Sequence, residues 1–186
     1  SGGLGFTLLK NGIVHYQQNI HIGAVRIKES FEKNERESVH FHQALSEYIY
    51  SSIEPVKADH KQHSIKYIVT SGNENHLLLQ MLGQGTDEGL TCVSRQEFQT
   101  LYENVQTLNL PQLMKTYRLN ENKAEIALPT IVLYHQILSI TNAPAILFPD
   151  AQLVDGVTLL HAAANVNDPF MLMLERQVLS LVRNIG

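Results

Sequence analysis

The chain has 186 residues, of which 44% are hydrophobic and 17% charged, with a formal net charge of −4 and no block of like charge. That length suits one domain with a real core, and the mildly acidic balance excludes a nucleic-acid module or a polybasic membrane binder, both of which need a concentrated positive field. A single cysteine, Cys92, excludes an internal disulfide framework and makes a reducing cytoplasm the expected compartment.

No apolar run reaches the roughly 18–20 residues that span a bilayer, so no membrane partner is expected. Ser1-Gly2-Gly3-Leu4 has neither the basic start nor the apolar stretch of a signal peptide. A chain opening on Ser rather than Met reads as a piece of something longer.

Gly5-Phe6-Thr7-Leu8-Leu9-Lys10 is rich in β-formers, and Asn11-Gly12 after it is a strong hairpin signal because both positions tolerate φ > 0. Ile13 to Ile22 alternates as a return strand, and Gly23 to Ile27 either extends it or opens a helix. From Asn34 the period changes. Phe41, Ala44, Leu45, Tyr48, Ile49 and Ile53 form one helical stripe, which Pro55 should end. Ser64 to Thr70 is predicted to be a central strand, followed by a Ser71-Gly72-Asn73 turn, a short helix from Glu74 to Leu82, and a loop marked by Gly83, Gly85 and Gly89.

Ser94-Arg95-Gln96-Glu97 has the capping-box pattern and starts a helix whose apolar face is Phe98, Leu101, Val105 and Leu108. Leu110-Pro111 opens another, and Lys123 through Ile140 reads as a long helix despite Pro129. Ala145 to Phe148 is a buried strand between two prolines. Helices over Val154–Ala164 and Phe170–Ile185, the second led by Asp168-Pro169, close the chain. The sequence has no internal repeat. This order predicts an α/β domain with a mixed central sheet flanked by helices.

Chemistry-bearing residues are few. His40 and His42 lie two apart in a predicted helix, about 200° around its axis, so they cannot share an ion. His60 and His63 sit in a polar loop, and no His-Glu-x-x-His or paired-cysteine motif supports zinc. The histidines therefore read as scattered surface residues. Cys92, between Thr91 and Val93, reads as a buried thiol rather than a nucleophile, and there is no Gly-x-Ser-x-Gly elbow for a serine hydrolase. Two glycine turns stand out: Ser1-Gly2-Gly3 before one strand, and Thr70-Ser71-Gly72-Asn73 between a strand and a helix. Glycine lets a ligand approach the backbone, and free N–H groups at a helix start suit phosphate oxygens. An ordinary strand–helix turn needs the same residues, and both readings stay open at this point.

The motifs together resemble the second, C-terminal actin-like domain of the exopolyphosphatase and guanosine pentaphosphate phosphohydrolase (Ppx/GppA) family. Ser1-Gly2-Gly3-Leu4 falls on that family's Asp-Ile-Gly-Gly-Gly-Ser loop, and Ile22-Gly23-Ala24-Val25-Arg26 on its Leu-Gly-Ala-Val-Arg signature. Thr70-Ser71-Gly72-Asn73 is similar to its second glycine turn, and Lys123-Ala124-Glu125-Ile126-Ala127-Leu128-Pro129 to Arg-Ala-Asp-Ile-Ile-Leu-Pro. Asp150 through Gly156 occupies its Ser-Asp-x-x-Leu-Arg-Glu-Gly segment.

The resemblance spans residues 1–164 and implies a ribonuclease H-like fold of the actin, Hsp70 and sugar kinase type. Residues 165–186 then form a terminal helix leading to a further domain or a homodimer contact. It also implies Mg²⁺-dependent removal of the terminal phosphate of polyphosphate or of the 5′ γ-phosphate of pppGpp, in a cleft shared with a missing N-terminal actin-like half. That half would carry the catalytic Glu, so this chain holds no catalytic residue and no metal ligand. The implied phosphate-binding residues are Gly2, Gly3, Arg26, Ser71, Gly72, Asn73 and Lys123. Leu4 stands where the family has Ser, Asn73 for Thr, Lys123 for Arg, and Val154 for Arg. The losses at Leu4 and Val154 motivate the alternative of a non-catalytic polyphosphate- or guanosine-nucleotide-binding module.

Overall fold

The computed structural model describes residues 2–150 apart from 12, 37, 39, 61–63 and 86–88. The expected helices over Val154–Ala164 and Phe170–Ile185, and the 164/165 boundary, lie outside the described residues, as do Ser1 and His63. The described residues divide between two units, one of Gly2–Phe6 with Gln18–Asp150 and one that includes Thr7–Gln17. Of the second unit the described part is the outer portion of a hairpin.

That hairpin is β1 (Leu4–Lys10) and β2 (Ile13–Ile20), paired as a two-stranded sheet. Asn11 turns it at φ 53, the left-handed geometry for which Asn is well suited. Gly23 then starts α1 (Ala24–Glu29), resolving the extended-or-helical ambiguity in favour of helix, and α2 (Lys33–Arg36) follows. The long α3 (Phe41–His60) runs through Pro55 rather than ending there. Pro55 and Ser51, whose carbonyl loses its helical partner to the proline, are both exposed, so water can replace the missing N–H. The buried stripe is Phe41, Leu45, Ile49, Ile53 and Val56, while Ala44 and Tyr48 of the expected stripe are exposed.

Among the described residues the predicted central strand lies at a sheet edge. Its ladder part, β3, is only Ile68–Val69, paired parallel to β5 (Ala145–Pro149), which in turn pairs antiparallel with β4 (Leu90–Ser94). The order β3-β5-β4 makes β5 central. β5 has Ala145, Ile146 and Phe148 buried, whereas Tyr67 and Val69 on the edge are 55% and 65% exposed. The sheet is mixed, and in it Ile68, Ile146 and Val93 share one register row; the last two are fully buried. Cys92, next in β4, is exposed, which corrects the expected buried thiol. A strand alternates faces, so when Val93 turns inward Cys92 must turn out.

Local signals set the helix ends. α4 (Asn75–Met81) closes in a Schellman motif, with Gln84 N–H on Leu79 O at 3.0 Å, Gly83 N–H on Gln80 O at 3.2 Å, and Gly83 at φ +68. α5 (Arg95–Val105) starts in the full capping box between Ser94 and Glu97, whose hydrogen bonds hold the Glu97 carboxyl below its usual range. α6 (Leu110–Tyr117) starts in a second box between Asn109 and Gln112.

α7 (Glu121–Thr141) organises the rest. By length and mean hydropathy (1.2) it could cross a membrane, yet its apolar residues face two protein cores. Ala124, Ala127, Ile131 and Leu138 belong to a core with α4, α5, α6 and the sheet. Val132, Leu133 and Ile137 join another with Ile22, Ile27 and the α3 stripe, against which Leu4, Phe6 and Ile20 also pack. Pro129 is buried inside α7, and the Thr130 hydroxyl donates to Ile126 O at 2.8 Å. The helix end is held by Arg95, which donates to Leu138 O at 2.5 Å and Ala143 O at 2.9 Å. Near its start, Glu125 receives Lys28 of α1 at 2.5 Å and Arg36 of α2 at 2.8 Å, and chiefly the Lys28 hydrogen bond holds its carboxyl low.

Glu125→Gln leaves Lys28 and Arg36 without their shared counter-charge, and because all three side chains are partly exposed the expected loss is about 1 kcal/mol in urea unfolding, shrinking in 0.5 M salt. An equal loss at both salt concentrations would show that charge is not what the glutamate supplies. His42 and His135 are both held below their ordinary 6.5, in each case first by burial. The unfolded chain then binds protons that the folded one refuses, so stability falls as pH drops below about 6.5. A His42→Leu, His135→Phe double variant should flatten the dependence of the urea midpoint on pH between 6.5 and 5; an unchanged slope would place its origin elsewhere.

Candidate functional site

The turn after β3 is fastened at both ends and open between them. At its near end Thr70 donates its N–H to Leu147 O of β5 at 3.0 Å and its hydroxyl to the same oxygen at 3.3 Å. At its far end Asn75 closes the turn through its N–H on Gly72 O at 3.2 Å, and its side-chain amide reaches back to Thr70 O at 3.4 Å. The Tyr134 hydroxyl of α7 donates to Asn75 Oδ1 at 3.4 Å. Burial, with the nearby Glu74 charge, pushes the Tyr134 phenol well above its usual range, although its hydrogen bond with the Thr70 side chain pulls the other way. The phenol therefore stays a donor at any physiological pH.

Ser71, Gly72 and Asn73, between these fastenings, are exposed. Among the described residues their backbone N–H groups have no acceptor within the chain. A Cβ at Gly72 would meet Glu74 Oε2 at 3.1 Å, so the Glu74 carboxylate lies close beside this glycine.

The other glycine turn acquires a cation. Gly2 and Gly3 are exposed ahead of β1, and a Cβ at Gly2 would meet Arg26 Nε at 3.3 Å and Nη2 at 3.9 Å. Arg26 comes to that position because Ile22, Ala24 and Ile27 are buried, which turns the intervening Arg26 outward. The structure thus brings Gly2 and Arg26 together. It does not bring every expected residue together: among the described residues no hydrogen bond or ion pair joins Arg26 or Lys123 to the Ser71–Asn73 turn. Lys123 is exposed in the first turn of α7, where Asn120 Oδ1 accepts its backbone N–H at 2.9 Å. Neither Lys123 nor Arg26 has an ion-pair partner among the described residues, whereas Lys28 and Arg36 are both committed to Glu125.

Several of these features escape a reading of the sequence. The Glu125 cluster lies within the Lys123–Pro129 segment, but nothing in the sequence shows that two cations from other helices converge on it. The contribution of Tyr134 has no local signal, because it comes from the next layer of the fold. Among the described residues no three His, Cys, Asp or Glu side chains stand together as a metal-binding group.

No family model matches this sequence, and neither does any curated protein. Solved structures do. A Ppx/GppA family member from Aquifex aeolicus superposes with a TM-score of 0.71 at 16% identity, covering 90% of this chain and 55% of its own. The type II variant of the Aquifex aeolicus Ppx/GppA phosphatase gives 0.69 at 17% identity, with 85% and 53% covered. An exopolyphosphatase from Cytophaga hutchinsonii gives 0.68 at 16% identity, with 86% and 54% covered. This chain therefore spans about half the length of the structures it matches, and it is an α/β domain with their actin-like, ribonuclease H-like fold.

Proposed function

We propose that this chain is the C-terminal actin-like half of a phosphoanhydride hydrolase of the Ppx/GppA family, acting on inorganic polyphosphate or pppGpp. The supporting observation is the pair of glycine turns in this fold. One presents three exposed backbone N–H groups at Ser71–Asn73 that have no acceptor among the described residues, and the other sets the Arg26 guanidinium against Gly2. Backbone N–H groups and an arginine fork are the donors that suit phosphate oxygens. With a net charge of −4, a polyanion would be held by these local donors rather than by the field of the whole domain.

Hydrolysis adds water across the terminal P–O–P linkage and releases orthophosphate. In this reading the chain supplies binding and orientation, while a preceding actin-like half supplies the catalytic Glu. Mg²⁺ would offset phosphate charge in such a reaction, and among the described residues no three His, Cys, Asp or Glu side chains gather to hold it. Residues 165–186 are proposed as the lead into a further domain or a homodimer contact, and the cytoplasm as the compartment. A second reading, a binding module without turnover, draws on Leu4. Where the resembling loop has a serine hydroxyl, Leu4 is a partly buried apolar side chain packed on the core.

The test uses the full-length protein with Mg²⁺ and polyphosphate or pppGpp. Orthophosphate should be released, and Arg26→Ala should raise KM about ten-fold, the scale of one charge-assisted hydrogen bond, with Tm unchanged. Tight binding with no phosphate release would favour the module, and neither binding nor release would end both readings.

A further inference from the structure

The described residues include only three buried polar side chains: Thr70 and Asn75, each 6% exposed, and Thr130, 2% exposed. Burying such a group is costly unless it is hydrogen-bonded. Thr130 is satisfied within its own helix. The other two stand on either side of the Ser71–Asn73 turn, and their bonds run across the fold to β5 and α7. We infer that Thr70, Asn75 and Tyr134 are positioning residues, a buried polar clasp that fixes the backbone of Ser71, Gly72 and Asn73. The inference rests on the reading of that turn as a phosphate-binding element, since three N–H groups serve an anion only when their directions are set in advance.

Asn75 uses both ends of its amide: the nitrogen donates to Thr70 O, on the near side of the turn, and the oxygen accepts from Tyr134. Thr70 places two donors on one carbonyl of the central strand. Gly72 O is taken by the Asn75 N–H, which leaves the exposed residues little freedom to pivot. The Tyr134 ring itself packs among apolar rings, 6.1 Å from Phe98 and near-parallel to Phe148 at 6.4 Å between centroids, and from there its hydroxyl reaches the clasp. An ordinary strand–helix turn could bury Val and Leu at these positions. Linked polar groups instead confine the chain to one arrangement, because any other leaves a buried donor or acceptor unpaired.

Tyr134→Phe removes one hydroxyl and keeps the ring, and Thr130→Val serves as a control that removes a buried hydroxyl outside the clasp. The 186-residue chain, labelled with ¹⁵N, is titrated with inorganic tripolyphosphate, and amide exchange is followed without ligand. In the parent chain the Ser71, Gly72 and Asn73 amides should shift on titration. Tyr134→Phe should raise Kd about five-fold, the equivalent of one neutral hydrogen bond, and speed exchange at Asn75 at least as much. Thr130→Val should lower Tm and leave both quantities unchanged. Parent-like Kd and exchange in Tyr134→Phe would overturn the clasp, as would equal effects from the two variants. If the parent turn does not respond to tripolyphosphate, the phosphate reading fails; faster Asn75 exchange in Tyr134→Phe alone still supports the clasp, and its absence still overturns it.

Discussion

Helix α7 must satisfy two hydrophobic cores at once, and most of the structure depends on that constraint. Ala124, Ala127, Ile131 and Leu138 pack towards α4, α5, α6 and the sheet, while Val132, Leu133 and Ile137 pack towards α1 and α3. A helix committed on several sides cannot rotate or slide without opening voids, and voids in a close-packed interior are costly. Groups attached to α7 are therefore located with respect to everything else: Glu125 gathers α1 and α2 near its start, Tyr134 meets the turn after β3, and Arg95 secures its end beside β5. The same burial explains why a helix apolar enough for a bilayer is here an interior helix.

The candidate site is built from backbone and rigidity more than from charge. Lys28 and Arg36, which a count of cations would offer to a polyanion, are held by Glu125, and Arg26 is left outside that cluster because it lies on the outward side of α1. The Ser71–Asn73 turn has no cation bonded to it among the described residues, and what it presents to solvent is backbone. Glu74 beside Gly72 adds a negative charge close to that turn, so an incoming anion would have to displace it or be accompanied by a cation.

Where the sequence reading and the structure part, the differences have specific causes. Pro55 reads as a stop, but a proline whose orphaned carbonyl faces water leaves a helix intact. Ser64 to Thr70 reads as a central strand because it is rich in β-formers, yet an edge strand can carry the same residues with Tyr67 and Val69 exposed. Cys92 reads as buried from its apolar neighbours, and the two-residue alternation of β4 reverses that. In each case composition indicated the element type, while position in the sheet or exposure of one face decided the detail.

By itself the sequence determined the local structure, through interactions that lie within a few residues. Asn11 turns the hairpin, Ser94 and Glu97 start α5, Gly83 ends α4, and β5 begins just after Pro144 and ends on Pro149. The order of its motifs also anticipated an actin-like, ribonuclease H-like α/β domain. Only the tertiary structure decided which candidate residues keep company. Arg26 meets Gly2, Glu125 absorbs Lys28 and Arg36, and Tyr134 reaches Asn75 across 59 positions of chain. Those pairings depend on how α7 is wedged between two cores, and close packing of that kind is a property of the whole fold that no short stretch of sequence encodes.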